Sequence, residues 1–295
     1  MSDQSVSSTS SADTTPSGTL LSLLTNHLDA YGLTFIIGAL CLVIHDALKA
    51  ESLFLLVGMA MLAWLAFAFN DYCDAPYDAH DSKKRSRNFF TQRGRGWYLL
   101  VGAILTAGIA LAAFGQYGWR GIGALVVSLL VLWAYSAPPL RLKSRPVLDL
   151  FTHALFVQTA PYFITLFLIG ASWLALDYLM LTIFFLSSLA AQLEQQARDY
   201  EVDSATDTNF TTVFGRRVSV VLLRAATITI VATAALGAAS GIIPPALHPF
   251  GLIAAPIFLH RLLRRITEPR SEVLVMVSVV LAIIYAGYVL VYGVV

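Results

Sequence analysis

Nine stretches of this chain are apolar for long enough to cross a bilayer, which leaves very few folds open to it. The hydrocarbon core is about 30 Å thick, so a spanning helix needs about 20 apolar residues. Windows of that kind fall at about 31–49, 51–69, 97–116, 119–136, 148–170, 173–193, 218–240, 243–262 and 272–293. Inside hydrocarbon every backbone N–H and C=O must be satisfied by the protein itself, which admits helices or a closed barrel. Uninterrupted apolar runs of this length are helical. The expected fold is all-α, a polytopic membrane protein of about nine transmembrane helices. Composition agrees: 57% of residues are hydrophobic and 13% charged, where a soluble domain carries about a quarter charged.

Charge asymmetry gives the spans a direction. Of the 19 Lys and Arg residues, all but Lys49, Arg120 and Arg224 fall at or beyond the ends of the second, fourth, sixth and eighth windows. By the positive-inside rule those loops are cytoplasmic, as is the N-terminus. The expected location is the cell membrane, multi-pass, with the mouth of any site formed by these loops on the cytoplasmic side. Residues 1–18 are rich in Ser and Thr and hold no Lys or Arg. They lack the basic segment of a signal peptide and read as a disordered tail. Residues 19–295 then form a single membrane-embedded domain. Cys41 and Cys73, the only two cysteines, make no disulfide framework and have no metal-ligand spacing.

Two acidic clusters stand at the cytoplasmic ends of corresponding spans. The first runs Asn70-Asp71-Tyr72-Cys73-Asp74-Ala75-Pro76-Tyr77-Asp78, and the second Asp199-Tyr200-Glu201-Val202-Asp203 with Asp207 beyond. Asp71, Asp74 and Asp78 share one helix face, although Pro76 is expected to distort the turn before Asp78. Asp199, Asp203 and Asp207 share another. Repelling carboxylates beside a bilayer need a neutralising partner, and magnesium takes one or two carboxylates together with phosphate oxygens and waters. Either cluster alone could be a solvated helix end. Two of them on one membrane face point to a shared diphosphate.

Other polar residues admit two readings each. Lys83-Lys84-Arg85-Ser86-Arg87 could anchor its loop at anionic headgroups or bind phosphate. Gln192, Gln195 and Gln196 could pack or contact substrate. Glu194 and Arg198, four residues apart, could form a structural ion pair. His45 and Asp46 read as an interfacial pair rather than a proton relay. Arg224 could snorkel to the membrane edge.

The motifs Asn70-Asp71-x-x-Asp74-x-x-x-Asp78, Asp199-x-x-x-Asp203 and Tyr135-Ser136-x-Pro138-Pro139-x-Arg141-x-Lys143 resemble those of the UbiA superfamily of intramembrane prenyltransferases. The branch most similar contains lycopene elongases and archaeal-type lipid prenyltransferases. The resemblance implies a helical bundle around a central cavity with a cytoplasmic cap. It also implies magnesium-dependent transfer of an isoprenyl group from its diphosphate to a lipophilic acceptor, a carotenoid or isoprenoid lipid being favoured. Asn70, Asp74, Asp78, Asp199 and Asp203 would then hold the magnesium. Asn70, Lys83, Lys84, Arg87 and Arg198 would bind the diphosphate. Asp71, Tyr135 and either Arg141 or Lys143 would act where the carbon–oxygen bond breaks. Phe67, Phe69, Trp133, Phe156 and Tyr162 are candidate walls for an allylic cation. The alternatives are phosphoribosyl transfer to a polyprenyl phosphate, a cation-coupled transporter and a non-catalytic scaffold. No nucleic-acid partner is expected.

Overall fold

The computed structural model describes residues 20–79, 85–86, 88–93, 96–266 and 271–292. The expected tail at 1–18 and the basic residues Lys83, Lys84 and Arg87 lie outside them. Among the described residues the chain is helical, without strands. A short α1 (Leu20–Thr25) leads into α2 (Leu28–Ile44), α3 (Ala50–Asp78), the loop helix α4 (Phe89–Arg93), α5 (Gly96–Gly115) and α6 (Gly118–Ser136). After a structured loop, α7 (Leu148–Ala154) passes through a π turn (Leu155–Thr159) into α8 (Ala160–Ile169). Then come α9 (Ala175–Thr206), the short α10 (Phe210–Phe214), α11 (Arg216–Ala239), α12 (His248–Leu263) and α13 (Glu272–Tyr292).

Eight helices or helix pairs are long and apolar enough to cross a membrane, and α13 supplies a further apolar helix of 21 residues. The chain is therefore a multi-pass membrane protein. Its outer surface agrees: Ile104, Leu252 and Ile284 are all more than 60% exposed, which hydrocarbon tolerates and water does not. The interior is built where α2, α3 and α5 meet, around the fully buried Leu42, Leu55, Leu56 and Phe114. Helices approach closely there because small residues permit it. A Cβ placed on Gly58 of α3 would stand 2.7 Å from the Ala113 Cβ of α5.

Helix length sets where the acidic clusters sit. At 1.5 Å per residue, the 29 residues of α3 and the 32 of α9 extend about 44 and 48 Å. Each exceeds the hydrocarbon thickness by well over 10 Å. Their C-terminal turns therefore project beyond it, carrying Asn70–Asp78 and Asp199–Asp203. The helix continues through Pro76 to Asp78, so Asp78 is reached within α3 and not through a separate turn.

At the opposite end of the bundle Asp177 ties three elements together. It accepts hydrogen bonds from Tyr162 Oη of α8 at 2.7 Å and from the Leu174 N–H at 2.6 Å, and lies 2.9 Å from His45 Nε2. Sequence reading places His45 with Asp46 at the interface. The structure pairs it with buried Asp177 instead.

Candidate active site

A cavity of about 360 Å³ lies between α3, α6, α7, α8 and α9. Its charged end is lined by Asn70 and Asp74 of α3, by Asp199 and Asp203 of α9, and by Asp207 and Lys143. Its deeper walls are apolar, including Met59, Leu62, Phe67, Phe156, Val157 and Ile164. Along α3 the lining runs from Met59 to Asp74, a helical rise of about 22 Å. One continuous space thus has a highly charged mouth and a hydrocarbon-like floor.

The three aspartates of α3 have different neighbours. Asp74 forms an ion pair with Lys143 and accepts from Arg141 Nη2 at 3.2 Å. Lys143 Nζ also donates to Asn70 Oδ1 at 2.7 Å, Asn70 Nδ2 donates to Asp74 at 3.1 Å, and Ser136 Oγ donates to Asn70 Oδ1. Asp71 meets His27 Nε2 at 3.0 Å, and the His27 ring stacks on Phe67. Asp78 accepts from Asn88 Nδ2 at 2.8 Å, while the same amide nitrogen holds the Asp71 carbonyl. Of the three, only Asp74 reaches the cavity lining. The nominal single face is divided because 100° per residue spreads positions i, i+3 and i+7 enough to meet different neighbours.

The loop between α6 and α7 crosses from one acidic helix to the other. Arg141 holds a left-handed backbone (φ 36°) and Val147 a positive φ of 75°, conformations that cost roughly 1–3 kcal/mol each for non-glycine residues. Arg145 closes the loop on itself, donating to the carbonyls of Leu140 at 2.7 Å and Pro139 at 3.2 Å. Lys143 and Arg141 reach Asp74, and Ser144 Oγ donates to Asp207 at 2.9 Å. The Arg141 guanidinium also stands 3.9 Å from the Tyr77 ring centre, a cation–π contact that holds it over the mouth.

On the α9 side, Asn209 begins α10 by accepting from the Thr212 N–H at 3.0 Å, and its amide donates to Asp203 at 3.3 Å. Fully buried Asp149 of α7 accepts from Gln196 Nε2 at 2.6 Å and from the Phe210 N–H at 2.9 Å. Gln196 Oε1 in turn accepts from both the N–H and the hydroxyl of Thr211. These bonds bind α7, α9 and α10 into one wall.

Several sequence expectations find their places here. Asn70, Asp74, Asp199, Asp203, Tyr135 and Lys143 converge on the cavity, as do Gln192, Gln195 and Gln196. Arg198 turns to Asp199 at 3.2 Å outside the lining, Asp71 and Asp78 stand behind the mouth, and Arg141 reaches Asp74 from outside the lining. Glu194 does not pair with Arg198. It meets Arg261 Nε of α12 at 2.7 Å and Arg264 just beyond that helix, because its position on α9 faces that neighbour. Of the five aromatic candidates, Phe67 and Phe156 line the cavity. Phe69 borders an outer groove, Trp133 is exposed and Tyr162 is consumed by Asp177. Arg224 is exposed on α11. Sequence reading missed Asp149 as an organiser and His153 as a lining residue. A buried carboxylate one residue into a helix was the available signal for the first.

The donors suit magnesium. Among the described residues no three His, Cys, Asp or Glu side chains form a cage for an ion. Magnesium, however, normally completes its shell with phosphate oxygens and waters around one or two carboxylates. Asp74 on one wall and Asp199 with Asp203 on the other supply that kind of hard-oxygen set.

Fold and site together define a multi-pass helical membrane protein with an acidic, cation-guarded cavity. The chain belongs to the UbiA prenyltransferase family, whose family model matches residues 31–280. Its fold is similar to a UbiA homolog from Archaeoglobus fulgidus bound to GPP and Mg2+, with a TM-score of 0.68 and 16% identity over 90% of this chain and 97% of that one. It is also similar to the apo structure of a UbiA homolog from Aeropyrum pernix K1, with a TM-score of 0.66 and 16% identity over 89% and 96%. In sequence it resembles a lycopene elongase/hydratase of Corynebacterium glutamicum, 29% identical over 154 residues, which are 51% of this chain and 53% of that protein. A bacteriochlorophyll synthase 33 kDa chain of Cereibacter sphaeroides is 34% identical over 92 residues, 30% of each chain. The chain spans about half the length of the lycopene elongase/hydratase of Corynebacterium glutamicum.

Proposed function

We propose that this protein transfers an isoprenyl group from its diphosphate to a lipophilic acceptor of carotenoid or isoprenoid-lipid type, with magnesium. One observation carries the reading: Asp74 and the Asp199–Asp203 pair, from two different helices, face one cavity beside Lys143, and that cavity is apolar beyond them. The charged mouth suits a diphosphate and the deeper walls suit a hydrocarbon chain. This supports a prenyl donor over the phosphoribosyl alternative. Carboxylates at helix ends rather than at the bilayer midplane also argue against a coupled transporter.

Asp74, Asp199 and Asp203, with Asn70 alongside, would hold magnesium, which would supply Lewis-acid neutralisation of the diphosphate. Lys143 and Arg141, paired with Asp74 in this structure, present positive charge where the leaving diphosphate gathers negative charge. Asp71 and Asp78 brace the α3 terminus through His27 and Asn88. The faces of Phe67, Phe156 and Tyr135, all lining the cavity, favour the allylic cation, and the apolar walls keep water from it. The bias of Lys and Arg toward these loops supports a mouth and an N-terminus on the cytoplasmic side of the cell membrane. Lys83, Lys84, Arg87 and Arg198 are the further candidates for guiding the diphosphate in.

The test uses the purified protein in lipid vesicles with labelled dimethylallyl or geranyl diphosphate and lycopene as acceptor. Transfer to a lipophilic product is expected, falling by about 10³-fold in Asp74→Ala or Asp199→Ala and on chelation of magnesium. Full turnover under any of these conditions refutes the reading.

A further inference from the structure

Resting on the prenyl-transfer reading, we infer that His153 is the catalytic base that removes a proton from the prenylated acceptor, with Ser188 fixing its tautomer. His153 lies on α7 and lines the cavity beside Phe156. Ser188 on α9 is fully buried, and its hydroxyl makes two contacts: to the His153 carbonyl at 3.0 Å and to His153 Nδ1 at 3.1 Å. A carbonyl can only accept, so the single hydroxyl proton goes there. The remaining capacity of Oγ is as an acceptor, which requires the proton on Nδ1. The opposite tautomer would set two acceptors against each other. Nε2 is left as a lone-pair base with no protein hydrogen-bond partner among the described residues.

Depth decides what this base can touch. From residue 188 to Asp199 the α9 helix rises about 16 Å, so His153 lies well inside the diphosphate-binding mouth. The same lining includes Phe67, Phe156 and Val157 together with Thr152 and Gln192, largely apolar walls that suit hydrocarbon. The π turn Leu155–Thr159 begins immediately after α7, and such turns often mark functional positions.

The chemistry that needs a base at this depth is addition to a carbon–carbon double bond. The donor C1–O bond breaks, and its electron pair leaves with the diphosphate. The π pair of an acceptor alkene then forms the new bond to C1, leaving a tertiary cation on the acceptor. Nε2 takes a proton from a neighbouring carbon, and the C–H electron pair becomes the new double bond. The imidazolium returns its proton to solvent water through the polar mouth. Without the base, the same cation is captured by water and gives the alcohol. His153 therefore decides between alkene and hydrate.

The test uses the full chain in vesicles with dimethylallyl diphosphate and lycopene, following donor consumption together with the prenylated alkene and its hydrate by mass. His153→Asn keeps an amide N–H near Ser188 but deletes Nε2. It should lower the alkene-to-hydrate ratio by about 10²-fold or more, the usual worth of a general base. Ser188→Ala should lower the ratio less, and Ser188→Thr should restore it; the thermal midpoint of each variant reports folding. An unchanged ratio in His153→Asn overturns the assignment. Loss of both products together with an unchanged midpoint also overturns it, because His153 would then only shape the pocket. Wild-type protein giving neither product refutes the prenyl-transfer reading itself, a different result from either of these.

Discussion

Asp149 offers a quantitative test of how the mouth of the cavity is held. It is fully buried, and its Oδ2 accepts both Gln196 Nε2 at 2.6 Å and the Phe210 N–H at 2.9 Å. Its Oδ1 has no hydrogen-bond partner of good geometry among the described residues. Hydrogen bonds to a charged group contribute about 1.5–3 kcal/mol each, and unpaired buried donors add to the loss. Asp149→Ala removes two, so the segment from Asp207 to Gly215 should lose at least about 3 kcal/mol of local stability. That is an increase of roughly 10²-fold in local opening. Hydrogen exchange read by mass spectrometry should show it in peptides covering Phe210–Phe214, with α5 unchanged because it shares none of these bonds. Asp149→Asn can keep its oxygen in the Oδ2 position and place its amide where Oδ1 already lacks a partner. It should cost only about 1 kcal/mol, the difference between a charged and a neutral acceptor. Equal exchange in the Ala and Asn variants, or a uniform rise across all helices, would refute the reasoning.

Three other outcomes follow from the same geometry. Lys143→Met removes the ammonium that joins Asn70 to Asp74 and should cut kcat/KM for the prenyl diphosphate on the order of 10²-fold. Arg145→Met, which loses contacts only within its own loop, should cost less than about tenfold in the same assay. Gly58→Leu drives a side chain into Ala113 and should destabilise by about 1–3 kcal/mol, lowering the thermal midpoint in detergent. Gly123→Leu, with open space at its Cβ, should leave that midpoint unchanged. Asp177→Ala strands the Tyr162 hydroxyl, His45 and the Leu174 N–H, a loss of about 3–5 kcal/mol; denaturant titration monitored by helix content would measure it.

The membrane fold was legible because hydrocarbon imposes a length and a composition that any spanning helix must meet. The first acidic cluster was legible for a related reason: charge at the end of an apolar helix has few explanations. Which of its carboxylates faces the cavity was not legible. Asp71, Asp74 and Asp78 differ by fractions of a helical turn, and their orientation depends on His27, Lys143 and Asn88, which lie outside α3. Among the aromatics, Phe67 and Trp133 look alike as apolar residues, yet one lines the cavity and the other is exposed. Glu194 shows the same limit, since local spacing suggests Arg198 while the packing of α12 supplies Arg261 and Arg264.

Sequence alone therefore determined the membrane-spanning helices, the direction of the charge bias and the residue types gathered at the helix ends, all of which arise from local chemistry meeting the solvent. Tertiary structure alone decided which side chains of α3 and α9 line their shared cavity, that the loop carrying Arg141 and Lys143 closes onto Asp74, and that Ser188 of α9 meets His153 of α7 beside that cavity. Each of these is set by contacts between residues far apart in the chain. A helix's periodicity states which residues share a face, and only the packed neighbours state what that face meets.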